Sequence, residues 1–322
     1  MKTLVPLAAG LLAAAVLAPH AGAASDAPQP APAAPVATLK VLASVPAYAA
    51  LAREIGGPLV EVTTLCRPTQ DIHGVTATPS LVERVRDADL LLYTGLDAEA
   101  WLDPLLRASG NLALLPGSAG AIALSDGVPL REVPVTVDRS QGDVHAFGNP
   151  HVWTDPLALR VMAAHVRDAL SAALPDQADE IAARHAAFHK ELTAALVAWL
   201  TRYAGLKGQP VVVYHRSWTY LLERFGLRQV ESLEPKPRVT PTASHLAEVV
   251  EAMRREGVKA VIREPWQAPD AADFVARETG ARVVELATHP EPFENGADLL
   301  AHFERTLATL AQALGVEPAP AP

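Results

Sequence analysis

"DQADEIAARHAAFHKELTAALVAWLTRYAG", Asp176 to Gly205, runs for thirty residues with no proline and no interior glycine. As one continuous helix it would reach about 45 Å, at 1.5 Å per residue. That is more than one sheet layer needs, and it predicts a rod joining two lobes. Before it, strand and helix signals alternate: "LKVLASV", "AYAALAREIGG", "VEVTTLC", "PSLVERVRDAD", "LLLYTG" and "AEAWLDPLLRASG". "DPLALRVMAAHVRDALSAAL" then reads as a helix, with Asp155 as its N-cap, Pro156 in its first turn and Pro175 as its breaker. After the rod the alternation resumes with "PVVVYH", "SWTYLLERFG", "LRQVESL", "TASHLAEVVEAMRREG", "KAVIRE", "PDAADFVARETG", "ARVVEL" and "GADLLAHFERTLATLAQALG". Such alternation predicts an α/β protein of two parallel-sheet lobes bridged by one long backbone helix. The expected boundaries are 38–174 for the first lobe, 175–206 for the linking helix and 207–318 for the second lobe. Ligands of such sheets bind beyond the carboxyl ends of the strands, here in the cleft between the lobes.

The amino terminus reads as an export signal. Lys2 gives a positive start, Leu4 to Leu17 an apolar core too short to span a bilayer, and Ala21-Gly22-Ala23 a small-residue cleavage pattern. Residues 1–23 are thus expected to be a cleaved signal peptide. Residues 24–37, rich in proline and alanine, form a tether that cannot build a core. With no cysteine near the cleavage site, a lipid anchor is not expected. These features point to the periplasm.

Cys66 is the one cysteine, so no intramolecular disulfide forms, and its place at the end of an apolar run predicts a buried thiol. Lysine and arginine number 27 against 36 aspartate and glutamate, a formal net charge of −9. That balance argues against a nucleic-acid partner and suits a cation.

Of the eleven histidines, His20 leaves with the signal peptide. His185 and His189 stand at i, i+4 on the long helix without the glutamate of a metalloprotease motif, which favours a solvated face. His165, His245 and His302 fall on helices as surface residues. His73, His151 and His215 differ. Each lies in a loop or at a strand end facing the expected cleft, where convergent polar groups build sites.

"RPTQDIHGVTATPS", "NPHVWTDP" and "VVVYHRSWTYLLERFGL" carry these three histidines. The three segments resemble those of the cluster A-I metal-binding receptors of ABC transporters, the zinc and manganese family. "ADLLLYTGLDAEAWLDPLL" and "KAVIREPWQ" match that family's framework, and the likeness runs in order from about residue 38 to 314. It implies two α/β lobes on a backbone helix, a metal in the interlobe cleft, and His73, His151 and His215 as ligands. Histidine in the third place separates zinc-type from manganese-type members, so the cargo expected is Zn2+ rather than Mn2+, in line with imidazole's preference. The family's fourth ligand is an aspartate in the turn after the last strand, where this chain has Ala287. His289, which lies in that loop, leads Glu285 and Glu291 as a substitute, and water is the equal alternative. Glu285 points away if its strand is regular. Glu264 matches a recurring family glutamate and is expected to orient an imidazole from outside the coordination sphere. His145 stands where zinc-type members often carry a histidine-rich loop.

The resemblance implies a monomeric receptor that captures the metal and passes it to an ABC permease, and no enzyme activity. Three histidines with an open position also describe a catalytic zinc. A zinc hydrolase is therefore the alternative of another class, with a periplasmic zinc buffer or adhesin behind it.

Overall fold

Strand–helix alternation leaves consecutive strands no route except a right-handed crossover, and the sheets are accordingly parallel throughout. The computed structural model describes residues 38–134, 146–236, 238–290 and 298–320. The signal peptide, the tether, His145 and Glu291 fall outside them. In the first lobe β1 (Leu39–Ala43), β2 (Val60–Thr64), β3 (Leu90–Tyr93) and β4 (Ala121–Ala123) assemble in the order β2-β1-β3-β4. In the second, β5 (Pro210–Val213), β6 (Arg228–Ser232), β7 (Ala260–Arg263) and β8 (Arg282–Glu285) repeat that order as β6-β5-β7-β8. The chain therefore reverses its winding between β1 and β3 and again between β5 and β7.

Helices α1 (Pro46–Gly56), α2 (Pro79–Arg86), α3 (Leu102–Ser109) and α4 (Leu159–Ala173) belong to the first half. Their ends follow local chemistry: Pro46 opens α1, the Thr78 hydroxyl caps α2, and Gly110, at φ 75°, closes α3 in a left-handed turn. The rod is α5 (Ala178–Arg202), 25 residues or about 37 Å long. It is shorter than the thirty residues expected, because a 3-10 turn at Pro175–Gln177 takes its start and another at Ala204–Leu206 its end. Helices α6 (Thr219–Arg224), α7 (Ala243–Glu256), α8 (Asp270–Thr279) and α9 (Leu299–Leu314) complete the second half.

The lobes are fused. One apolar cluster takes in the first sheet, α1, α4, α5, α9 and, through Val211, Val213 and Ile262, one face of the second sheet. The alternate residues Val212, Tyr214 and Val261 enter a separate cluster with Val249, Met253 and Val275 of α7 and α8. This is the period-2 division of a sheet covered on both sides.

Three expectations need correcting. Strand β4, three residues of "AIA", was not foreseen, since so short a run carries no alternation. Asp155 does not cap α4, which begins at Leu159 after a turn. Its carboxylate accepts instead from the Leu157 N–H at 2.9 Å and holds Arg224 of α6 by two bonds, at 2.9 and 2.8 Å. His302 is buried, not on the surface. Helix α9 turns that face inward, beside Phe303.

The forked Arg224–Asp155 pair is half-shielded from water and joins α6 to the His151 segment. Arg224→Ala should therefore lower stability by about 1–3 kcal/mol. The check is a fall in the urea midpoint with an unchanged slope.

Candidate metal centre

His73, His151 and His215 come together from three different places. His73 sits in the 3-10 turn Ile72–Gly74 after β2, where the Asp71 carboxylate accepts the His73 N–H at 2.9 Å and Trp101 Nε1 donates to the Ile72 carbonyl at 2.6 Å. His151 precedes the 3-10 turn Val152–Thr154, which the Thr154 hydroxyl ties back to the His151 carbonyl at 2.8 Å. His215 lies two residues past β5, beside the winding reversal of the second sheet. One ligand-type nitrogen from each of the three falls within 4.8 Å of the others. The ring centroids are 5.2, 5.1 and 5.7 Å apart. They line a cavity of about 220 Å³, shared with Asp71, Trp153, Ser217, Glu234, Arg238 and His289.

The outer hydrogen bonds fix how these rings are protonated. His73 Nδ1 faces the Ala98 carbonyl at 3.2 Å, His151 Nδ1 the Asn149 Oδ1 at 2.9 Å, and His215 Nδ1 the Glu234 carboxylate at 2.8 Å. The Asn149 amide is oriented by its Nδ2, which donates to Glu132 Oε2 at 2.8 Å and to the Arg216 carbonyl at 2.7 Å. All three partners are acceptors, so each Nδ1 carries a proton, and in the neutral ring Nε2 is the nitrogen that keeps the lone pair. His73 Nε2 and His151 Nε2 stand 3.2 Å apart. Two tetrahedral zinc ligands at bond lengths near 2.05 Å would be about 3.3 Å apart. His215 Nε2 is buried without a hydrogen-bond partner.

Burial pushes the His215 imidazole down. The Glu234 hydrogen bond, with the charges of Glu264, Glu234 and Asp71, outweighs burial and leaves the ring above its ordinary value. That field favours any cation at this nitrogen.

The carboxylate that takes the other ring N–H of His215 is thus Glu234, not Glu264. Both oxygens of Glu264 are buried and make no hydrogen bond of regular geometry. Burial raises its carboxyl to about 7, against the pull of His215 and the Ser217 hydroxyl. Glu285 is exposed and pairs with Arg263, facing away from the cavity as a regular strand requires.

His289 lines the cavity but lies outside the 4.8 Å grouping. Its ring stacks on Trp153, with centroids 5.1 Å apart and planes 22° from parallel, and its Nδ1 is buried without a partner. Burial and His302 push it down to about 3, so it is neutral.

Elsewhere, His189 Nε2 accepts from Arg160 at 3.0 Å, and His165 and His245 bond the carbonyls of Asp126 and Ser232. Cys66 is buried, as its apolar run implied, and burial pushes its thiol up to about 12.

Asn149 and Glu234 had gone unnoticed in the sequence. Each had a signal: an asparagine two residues before a loop histidine is suited to an Asx turn, and Glu234 follows β6 at the cleft end of the sheet.

Residues 41–313 match the family described as ZnuA, the periplasmic component A of the zinc-uptake complex. The chain belongs to this family. Its relatives include the zinc-binding lipoprotein AdcA of Streptococcus pneumoniae serotype 4, 25% identical over 275 residues, or 81% of this chain and 52% of AdcA. The chain thus spans about half the length of that relative. A putative metal-binding protein of Treponema pallidum is 26% identical over 280 residues and is covered to 83% on both sides. A crystal structure of ZnuA superimposes with a TM-score of 0.72 at 22% identity, over 86% of this chain and 99% of that one. This structural likeness bears out the two-lobe α/β fold expected for the family.

Two buried imidazoles give the fold a pH dependence. His302, pushed down to about 4 by burial and Arg305, and His289, at about 3, are neutral when folded but take up protons near 6.5 when unfolded. Their stabilisation is full above about pH 6.5 and is lost as pH falls toward 4, at up to about 1.4 kcal/mol per unit for each group. Urea titrations between pH 7 and 5 should show this slope. His302→Leu should remove about one proton's share of it, and an undiminished slope would contradict the assignment.

Proposed function

We propose that the chain captures a divalent transition metal, Zn2+ before Mn2+, and hands it to an ABC permease for import. The observation that carries this reading is the grouping of three imidazoles with a ligand nitrogen of each within 4.8 Å of the others, and with an acceptor behind each ring at Nδ1. Neutral imidazole suits zinc, whereas manganese favours carboxylates. His73, His151 and His215 are the proposed ligands. His289 is the proposed fourth donor where Ala287 stands in place of a carboxylate, and water fills that place when His289 stays stacked on Trp153. The Ala98 carbonyl, Asn149 and Glu234 orient the rings, as outer hydrogen-bond partners of metal-bound histidines do.

Membership in a family of solute-binding proteins supports transport over hydrolysis at the same three imidazoles. The family's periplasmic description, together with residues 1–23, supports export by a cleavable signal peptide, with 24–37 as tether. Lobes at 38–174 and 207–318 around a linking segment at 175–206, acting as a monomer, complete the proposal.

The test is zinc binding by native mass spectrometry with a competing chelator. The wild type should take up one zinc. His73→Ala, His151→Ala and His215→Ala should each weaken binding by more than the roughly 100-fold that loss of an outer hydrogen bond can cost. His289→Ala should cost less, because water replaces it. Full stoichiometry and affinity in His151→Ala would overturn the site.

A further inference from the structure

We propose that Arg238 is a positioning residue of the metal centre, tying the His73 loop of one lobe to the His215–Glu234 pair of the other and so slowing metal release. The inference rests on the metal-capture reading above. Arg238 belongs to the connection between β6 and α7, in the second lobe. Its guanidinium Nη1 donates to the backbone carbonyl of His73, in the first lobe, at 3.1 Å. Its backbone N–H donates to Glu234 Oε2 at 3.2 Å, and that same oxygen accepts the His215 Nδ1–H at 2.8 Å. One residue thus holds the main chain of one ligand and the carboxylate that orients another.

Two further observations set this contact apart. Among the described residues, several other hydrogen bonds between the lobes fasten the His151 loop, including Asn149 to the Arg216 carbonyl, Arg224 to Asp155, Tyr220 to the Asn149 backbone carbonyl, and Trp153 Nε1 to the Thr288 carbonyl at 3.1 Å. Arg238 acts instead on the His73 loop. It also adopts φ 59°, a left-handed conformation that a non-glycine residue keeps only where its surroundings impose it.

The charge of Arg238 works against its geometry. It lines the cavity, and a fixed guanidinium there repels an arriving divalent cation. Asp71 and Glu234 in the same lining offset that charge. If repulsion were its whole effect, removing the side chain would slow release. If it positions the ligands, removal speeds release. The sign decides.

The experiment is stopped-flow transfer of zinc from the loaded full-length protein into excess chelator. Arg238→Ala should release zinc faster, by about three- to tenfold for the loss of one solvent-exposed hydrogen bond. The melting midpoint of the metal-free protein should stay unchanged. Arg238→Lys, which keeps one donor on a flexible stem, should recover part of the wild-type rate. Release from Arg238→Ala at the wild-type rate or slower would overturn the proposal. So would faster release accompanied by a lower metal-free melting midpoint, which would mark a merely structural residue. A wild type that takes up no zinc would overturn the capture reading, and this inference with it.

Discussion

The Asn149 side chain is the joint on which the site depends. Its carbonyl oxygen accepts both the backbone N–H and the Nδ1–H of His151, at 3.0 and 2.9 Å. Its amino group donates to Glu132 of the same lobe and, across the lobe boundary, to the Arg216 carbonyl. The Tyr220 hydroxyl closes the arrangement by donating to the Asn149 backbone carbonyl at 2.6 Å. An aspartate here would keep the shape but lose both donors and face the Glu132 carboxylate. A buried amide makes the His151 ring angle, its tautomer and the lobe-to-lobe distance parts of one network, which low dielectric strengthens as long as every member is paired.

The two sheets share one winding, but their cleft ends differ in charge. At the first, the buried carboxylate of Glu99 accepts from the Ser44 hydroxyl at 2.7 Å and the Thr94 N–H at 2.8 Å, and is spent on structure. At the second, Glu264 is equally buried, but neither oxygen makes a hydrogen bond of regular geometry and burial raises its carboxyl to about 7. Buried polar atoms without partners are rare and call for an explanation such as an ion nearby. The asymmetry gathers acidic groups behind His215, where Glu234, Glu264 and Asp71 together hold its imidazole above the ordinary value.

The fold was legible because its signals are long or repeated: alternating strands, capped helices and an unbroken rod. The three histidines were legible too, since each sits in a distinctive loop. What escaped notice depends on distances no sequence pattern encodes. Glu234 and Glu264 both follow strands of one sheet, and only the direction of their side chains makes one, and not the other, the partner of His215 Nδ1. Asp155 looked like a helix cap because capping is local, yet Arg224, 69 residues away, claims its carboxylate. His302 looked exposed because a lone histidine on a helix says nothing of which face packs inward.

The division of the apolar core has a consequence for how the molecule opens. The first sheet, the rod, α9 and the inner face of the second sheet share one cluster, so these parts have no independent way to come apart. The layer formed by α7 and α8 is held through a second, smaller cluster on the outer face of the same sheet. Amides in that layer are therefore free to exchange with solvent by sub-global opening, while those of the continuous core wait for global unfolding. Among the described residues, such opening is thereby favoured on the face away from the first lobe, while Val152 and Trp153 beside His151 belong to the continuous core.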